Sequence, residues 1–176
     1  KVLDPLTVEV KLRQGVKFQN RPPVNGREMV AEDVKFSYER MFAEGLQTQL
    51  GEKIQSITVP DRYTVRIKTK EPAPLITQDL LAWREAVILA KEAAGKAGDY
   101  ARRESIVGTG PFILTEYTPG VAHVAKKNPD YWLKGRPYLD ELRLPIMRDQ
   151  STRVAALLVG KLDFMEEVAL EEREQL

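Results

Sequence analysis

The single histidine, His123, invites a chemical question first, because an imidazole can serve as general base or metal ligand near neutral pH. A catalytic triad is conceivable only around it, with Ser105 or Ser151 as nucleophile. Neither serine lies in a strained elbow of the G-x-S-x-G kind. The chain has no cysteine and no second histidine, so the usual zinc ligand sets cannot be assembled. His123 reads as an ordinary strand residue. Asp140 and Glu141 form an adjacent carboxylate pair that acid–base chemistry could use, but neighbours on a strand point to opposite faces. The acidic run Glu166, Glu167, Glu171, Glu172 and Glu174 lacks the convergent oxygens of a hard-cation site and reads as a solvated helix face. No catalytic residue, metal ligand or cofactor is expected.

Two short glycine- and aromatic-bearing stretches remain. In Val107-Gly108-Thr109-Gly110-Pro111-Phe112 the glycines could cradle phosphate only if a helix followed, whereas here a proline and a strand follow, with no lysine at the P-loop position. Their spacing points instead to backbone angles or a close approach that a side chain would forbid, with something packed tightly against them. In Asn128-Pro129-Asp130-Tyr131-Trp132 the cluster Asp130, Tyr131 and Trp132 is expected in a helical turn, its rings filling space and its polar tips at the surface.

The elements that carry these residues are legible from periodicity. Between the two stretches lies a hairpin: Phe112 to Thr118, a turn at Pro119 and Gly120, and Val121 to Lys127 returning. Upstream, Leu6 to Arg13 alternates as a half-buried strand, with Leu6, Val8, Val10 and Leu12 on one face. Gly15 turns the chain into a short strand at Val16 to Phe18. The loop Gln19 to Glu28 is expected to be irregular and exposed. Ala31 to Glu44 is the clearest helix, with Val34, Tyr38, Met41 and Phe42 on one stripe, Glu32 and Asp33 at its N-terminal end and Gly45 as its stop. Val30 supplies no side-chain cap, which leaves the helix start open by a residue or two. A second hairpin joins Ile54 to Val59 with Tyr63 to Thr69.

Pro74 to Trp83 reads as a short helix, Glu85 to Ala90 as a buried strand and Lys91 to Ala97 as a further helix. Leu139 to Met147 reads as a strand. Asp149 is placed to cap a helix running to Val159, Gly160 ends it, and Leu162 to Met165 makes a last strand.

Composition bounds the function classes. The chain has 176 residues, 43% hydrophobic and 30% charged, enough to bury a core in one domain or two small subdomains. Lysine and arginine total 27 against 26 acidic residues, a net charge of +1 that offers no electrostatic footprint for nucleic acid or an anionic membrane. No apolar run approaches the roughly 18–20 residues that span a bilayer. Lys1-Val2-Leu3-Asp4-Pro5 is not a signal peptide and enters a strand almost at once, which leads us to expect that a preceding segment has been removed.

The order of several blocks resembles the family 5 extracellular solute-binding proteins, which serve peptide, nickel and related ABC importers. The blocks are Leu12 to Phe18, Ala31 to Arg40, Asp61 to Arg66, Val107 to Phe112, Asn128 to Trp132 with Arg136 to Glu141, and Arg153 to Asp163. They occur in the family's order and are spread over nearly the whole chain. The resemblance implies an α/β fold: mixed sheets with hairpins and packed helices, forming part of the first lobe of a periplasmic-binding-protein-like fold of type II, peptide-binding class. It implies a first-lobe subdomain at residues 1–100, and at 101–176 the central hairpin and a strand-helix-strand unit leading towards a second lobe. In the family the segment matching Ala82 to Val87 lies at the rim of the cleft, which makes Trp83, Arg84 and Glu85 the ligand-facing candidates. The implied role is capture of a peptide or similar small solute between two lobes and delivery to a membrane permease, outside the cytoplasm, in a parent protein with an export signal or lipid anchor. The alternative is a self-assembling module whose exposed half-cleft and edge strands pair with a second copy.

Overall fold

The computed structural model describes residues 1–76, 80, 86–94 and 106–166. Two antiparallel sheets organise these residues. The first has β1 (Val2–Asp4), β2 (Thr7–Lys11), β3 (Ile54–Asp61) and β4 (Thr64–Thr69) in the order β1-β2-β4-β3. The second has β5 (Phe112–Thr118), β6 (Ala122–Lys127) and β7 (Glu141–Pro145) in that order. Among the described residues three helices accompany them: α1 (Ala31–Ala43), α2 (Thr48–Lys53) and α3 (Gln150–Leu158).

The register of the first sheet follows from its alternation. Val8 and Ile57 both lie opposite Ile67, so these three side chains share one face with Val65, two residues away. That face meets α1, whose Val34, Tyr38 and Met41 stripe is buried. Leu50, Ile76 and Leu80 complete this core. Each such side chain, taken out of water, contributes about 1.5–3 kcal/mol before the entropic cost of ordering it. On the opposite face Glu9 sits across from Arg66 and accepts its Nε–H at 2.8 Å. Buried Tyr38 donates its hydroxyl proton to the Leu80 carbonyl at 2.7 Å, and burial raises its pKa to about 12.

The start of α1 is defined from inside the helix. Val30 has no capping oxygen, but the Asp33 carboxylate reaches back to accept the Val30 N–H at 2.9 Å. The helix begins at Ala31 as the alternating stripe requires. At α3 the expected cap is present: the Asp149 side chain accepts the Thr152 N–H at 2.8 Å, and Gly160 follows with φ +70°.

Several local expectations are overturned. Val16 to Phe18 forms no strand, only a single bridge between Lys17 and Glu28 that closes the base of the following loop. That loop is not simply exposed, since Gln19 and Val24 are buried. Its polar side chains cover an edge: Gln19 Nε2 donates to the Phe112 carbonyl at 2.8 Å, and Arg21 donates to the Leu114 carbonyl at 3.0 Å. β5 is an edge strand, and these bonds satisfy acceptors that would otherwise face water or another chain. Ala86 to Ala90 is not a strand, and among the described residues no neighbouring strand pairs with it. Leu162 to Met165 likewise lacks a partner strand among the described residues. The segment from Gly45 to Ile54, short and polar, contains α2. The helix expected over Pro74 to Trp83 lies largely outside the described residues, as do the later part of Lys91 to Ala97 and most of the acidic run.

The central hairpin forms as the periodicity predicts, with Gly120 at φ +71° in its turn. The glycines ahead of it are another matter. A Cβ at Gly108 would meet nothing nearer than 3.9 Å and one at Gly110 nothing within 4 Å, so no tight packing demands them. The close approach is at Gly51 in α2, where a Cβ would come within 3.0 Å of the Phe42 ring. Asn128 explains the coupling between the two short stretches: buried, it donates from Nδ2 to the Gly110 carbonyl at 3.0 Å and accepts the Asp130 N–H at 3.1 Å. The turn it makes is not helical. Tyr131 packs against Trp132, and the Arg13 guanidinium lies 4.8 Å from the Trp132 ring centre.

Candidate functional site

The second core of the chain, formed by Phe18, Val24, Ala90, Ala93 and Val107, lies where the Gln19 to Glu28 loop, the 86–94 segment and the start of the glycine stretch meet. A recess of about 270 Å³ opens beside it. Its lining, among the described residues, is Arg40 of α1, then Val87, Ile88, Leu89, Ala93 and Ala94, then Ile106, Val107 and Gly108. Ala93, Ala94 and Val107 are buried and form its floor. Val87 is 58% exposed and Ile106 44% exposed, and they stand at its mouth.

The wall of this recess has no strand ladder, so other bonds must hold it. The Ser37 hydroxyl donates to the Asp33 carbonyl at 2.6 Å and accepts the Leu89 N–H at 2.9 Å. The Arg27 guanidinium binds Asp33 through two bonds of 2.7 and 2.8 Å and Glu92 through two of 2.6 and 2.8 Å. It also lies 5.1 Å from the centre of the Phe18 ring. Asp33 is buried, and its charge is matched by the bidentate arginine and by the Val30 N–H. The Asp33 bond, then the Glu92 bond, raises the Arg27 pKa further. The same arginine holds the Glu92 carboxyl below its ordinary range. A single buried carboxylate on α1 thereby caps its own helix and, through Arg27, tethers the wall.

The structure separates the other candidate residues. His123 lies on β6 opposite Tyr117, with ring centres 4.7 Å apart, and opposite Leu144 on β7. Ser151 is engaged at the α3 cap, where it donates to Asp149 at 2.7 Å. Ser105 lies outside the described residues. Glu141 pairs with Arg143 at 2.6 Å, whereas Asp140 lies 3.8 Å from Lys127, so the two carboxylates have different partners. Among the described residues no group of three metal-ligating side chains converges. Trp83, Arg84 and Glu85 lie outside the described residues, and the recess begins at Val87, two positions beyond Glu85.

The recess itself was not legible as a site. The signal was present in the apolar run Ala86 to Leu89, which reads as a buried strand only if a partner strand exists. A second and larger recess, about 690 Å³, lies between α2 and Lys70 to Ile76, with Glu52, Lys53, Lys70 and Glu71 on its rim.

The comparisons with known proteins point one way. Residues 2–176 match the family described as bacterial extracellular solute-binding proteins, family 5 middle. The chain is 36% identical to di/tripeptide-binding protein 2 of Pseudomonas aeruginosa (strain UCBPP-PA14), in an alignment covering 88% of this chain and 32% of that protein. The ABC transporter-associated periplasmic binding protein DppA from Helicobacter pylori, in complex with the peptide STSA, superposes with a TM-score of 0.87 at 29% identity. That superposition covers 100% of this chain and 38% of that one. The structure of a nickel ABC transporter from Bacillus halodurans superposes with a TM-score of 0.80 at 33% identity, over 99% of this chain and 34% of that one. The chain thus spans about a third of the length of the relatives it matches.

Proposed function

The chain belongs to the family 5 bacterial extracellular solute-binding proteins, and on that premise we propose that it forms part of the solute-capturing component of an ABC importer for peptides or similar small solutes. The observation that carries the reading is the superposition of the whole chain on 38% of a peptide-bound binding protein. In such a part, work is done by binding and closure, and no bond is made or broken. A ligand held between two lobes favours the closed state by its differential affinity for that state, and the closed form then docks on permease subunits in the membrane.

The same reading places the complete protein outside the cytoplasm, in the periplasm or on the outer face of the membrane, with a lipid anchor as one means of retention. Among the described residues no helix is long and apolar enough to cross a membrane. Residues 1–100 and 101–176 are taken as two subdomains of the first lobe. Trp83, Arg84 and Glu85 are taken as ligand-facing at the cleft rim. On this reading a polypeptide of only these 176 residues exposes half a cleft and pairs with a second copy, which light scattering would detect.

The test is a thermal-shift screen of the polypeptide that contains this chain, using dipeptides, tripeptides and nickel chelates, with the present chain alone as comparison. Ligand at about 100 times its dissociation constant stabilises by about 2.7 kcal/mol, a shift that such a screen reads readily. Stabilisation confined to the longer polypeptide is expected. Tight peptide binding by the present chain alone, or no response of the longer one to any solute class, would sink the proposal.

A further inference from the structure

We propose that the Gln19 to Glu28 loop is an edge guard: by occupying the outward carbonyls of β5 with the side chains of Gln19 and Arg21, it closes that strand to antiparallel pairing with β5 of a second copy of this chain. The proposal goes beyond solute capture and concerns which edge of the fold accepts another strand.

The two edges of the second sheet are defended differently. Among the described residues β5 and β7 are its outer strands. β7 carries Pro145, opposite Ala122, and the paired charges of Glu141 and Arg143. A proline withholds a donor and charges resist an approaching strand, so β7 blunts its own edge. β5 runs from Phe112 through Ile113, Leu114, Thr115, Glu116 and Tyr117 to Thr118, with one charge and neither proline nor glycine. High β-propensity and low charge over seven residues is the composition that pairs with itself. Such a strand needs cover from elsewhere.

The register shows which groups need it. The Asn128 N–H donates to the Pro111 carbonyl at 2.8 Å, so Pro111 faces β6, and by alternation the N–H and C=O groups of Phe112 and Leu114 face away. Those are the two carbonyls that Gln19 and Arg21 take, at 2.8 and 3.0 Å. An incoming strand would aim its amides at the same oxygens. Donors and acceptors are each two residues apart, so the loop imitates the repeat of a strand with side-chain donors. The loop is anchored without these bonds. The Gln19 N–H donates to the Gly108 carbonyl at 2.9 Å, the Phe18 N–H to the Arg27 carbonyl at 2.9 Å, and Phe18 and Val24 lie in the second core. Truncating the two side chains therefore opens the edge and leaves the loop in place.

A second copy is the occupant that fits. Antiparallel pairing of β5 with itself is isologous, so one two-fold contact serves both edges and closes as a dimer. Pairing of β5 with β7 of another copy would meet Pro145 instead.

The experiment is a sedimentation-velocity dilution series on the unaltered chain, Gln19→Ala/Arg21→Ala and Arg21→Ala, with circular dichroism to confirm folding and amide hydrogen exchange read residue by residue. Pairing through the half-cleft is common to all three chains, so the change on truncation reports on β5. The association constant of the double variant should rise by about tenfold or more, the scale of one to two net backbone hydrogen bonds gained between copies, and that of Arg21→Ala should rise less. Protection should grow with concentration at the Phe112 and Leu114 amides. Arg21→Lys, which still donates to the Leu114 carbonyl, should associate as the unaltered chain does. A folded double variant that associates no more than the unaltered chain overturns the guard. Added association that protects other amides and leaves Phe112 and Leu114 unchanged overturns it too. If the double variant does not fold, Arg21→Ala decides by the same two readings.

Discussion

The Ser37 hydroxyl on α1 accepts the Leu89 amide proton at 2.9 Å, and through that bond a segment with no strand partner among the described residues is fixed against a helix 52 residues earlier in the chain. Ser37 simultaneously donates to the Asp33 carbonyl, so its one proton and one of its two lone pairs are used. In Ser37→Ala the Leu89 N–H loses its acceptor in a part-buried position, which should cost about 1–3 kcal/mol. Urea denaturation would give the loss in stability. Hydrogen exchange at Leu89 should accelerate beyond what the global loss explains, and unchanged protection there would show that the amide finds another acceptor.

Arg27 and Glu92 should respond unequally to truncation. Arg27→Met leaves the buried Asp33 carboxylate without its bidentate partner, and stranding a buried charge costs about 3–5 kcal/mol. The Glu92 side chain is 46% exposed, and Glu92→Gln should cost less than about 1 kcal/mol because exposed pairs are screened. Thermal melts of the two variants decide the matter, and comparable losses would mean that Asp33 is satisfied some other way.

Glycine replacements should separate a real close approach from an apparent one. Gly51→Ala gains about 0.8–1.0 kcal/mol of helix propensity but drives a methyl to 3.0–3.1 Å from the Phe42 side chain, including its Cβ, which cannot swing away. A net fall in Tm is expected. Gly110→Ala meets nothing within 4 Å and should leave the unfolding free energy within about 0.5 kcal/mol of the parent. A rise in Tm for Gly51→Ala would show that α2 can shift off α1.

Acid should destabilise the fold through its paired carboxylates. The Gly15 amide, then Tyr63, lowers the pKa of Glu28, and Arg27 lowers that of Glu92, both from 4.5. Thr152 and Ser151 lower that of Asp149 from 3.8 to about 2. Each folded value lies below the unfolded one, so below the unfolded value the unfolded chain binds more protons. The contribution is present above about pH 4.5 and is lost as pH falls through the folded values. Tm should therefore drop between pH 5 and pH 2. Asp149→Asn keeps a capping oxygen without a titrating group and should flatten the lower end of that curve. An unaltered acid limb in this variant would remove Asp149 from the account.

The amino-acid sequence by itself determined the parts whose signals are local. Alternation in Leu6 to Arg13 and in the two hairpins, the apolar stripe of α1, and the Asp149 and Gly160 caps each depend on neighbours within a few residues, and each forms there, the first as the shorter strand Thr7–Lys11. The ordered blocks likewise identified the family. What only the tertiary structure decided is everything that depends on a partner far along the chain. Ala86 to Leu89 has the composition of a strand, but a strand requires a second one, and here a serine hydroxyl and an arginine tether take its place. The loop Gln19 to Glu28 looks solvated by composition, yet two of its polar side chains reach across 93 positions to the carbonyls of an edge strand. Gly108 and Gly110 suggest crowding that is absent, whereas Gly51 gives no such hint and is crowded by Phe42. Periodicity records which face of an element is apolar; it carries no information about which distant backbone groups lack a partner, and at the recess those groups set the shape.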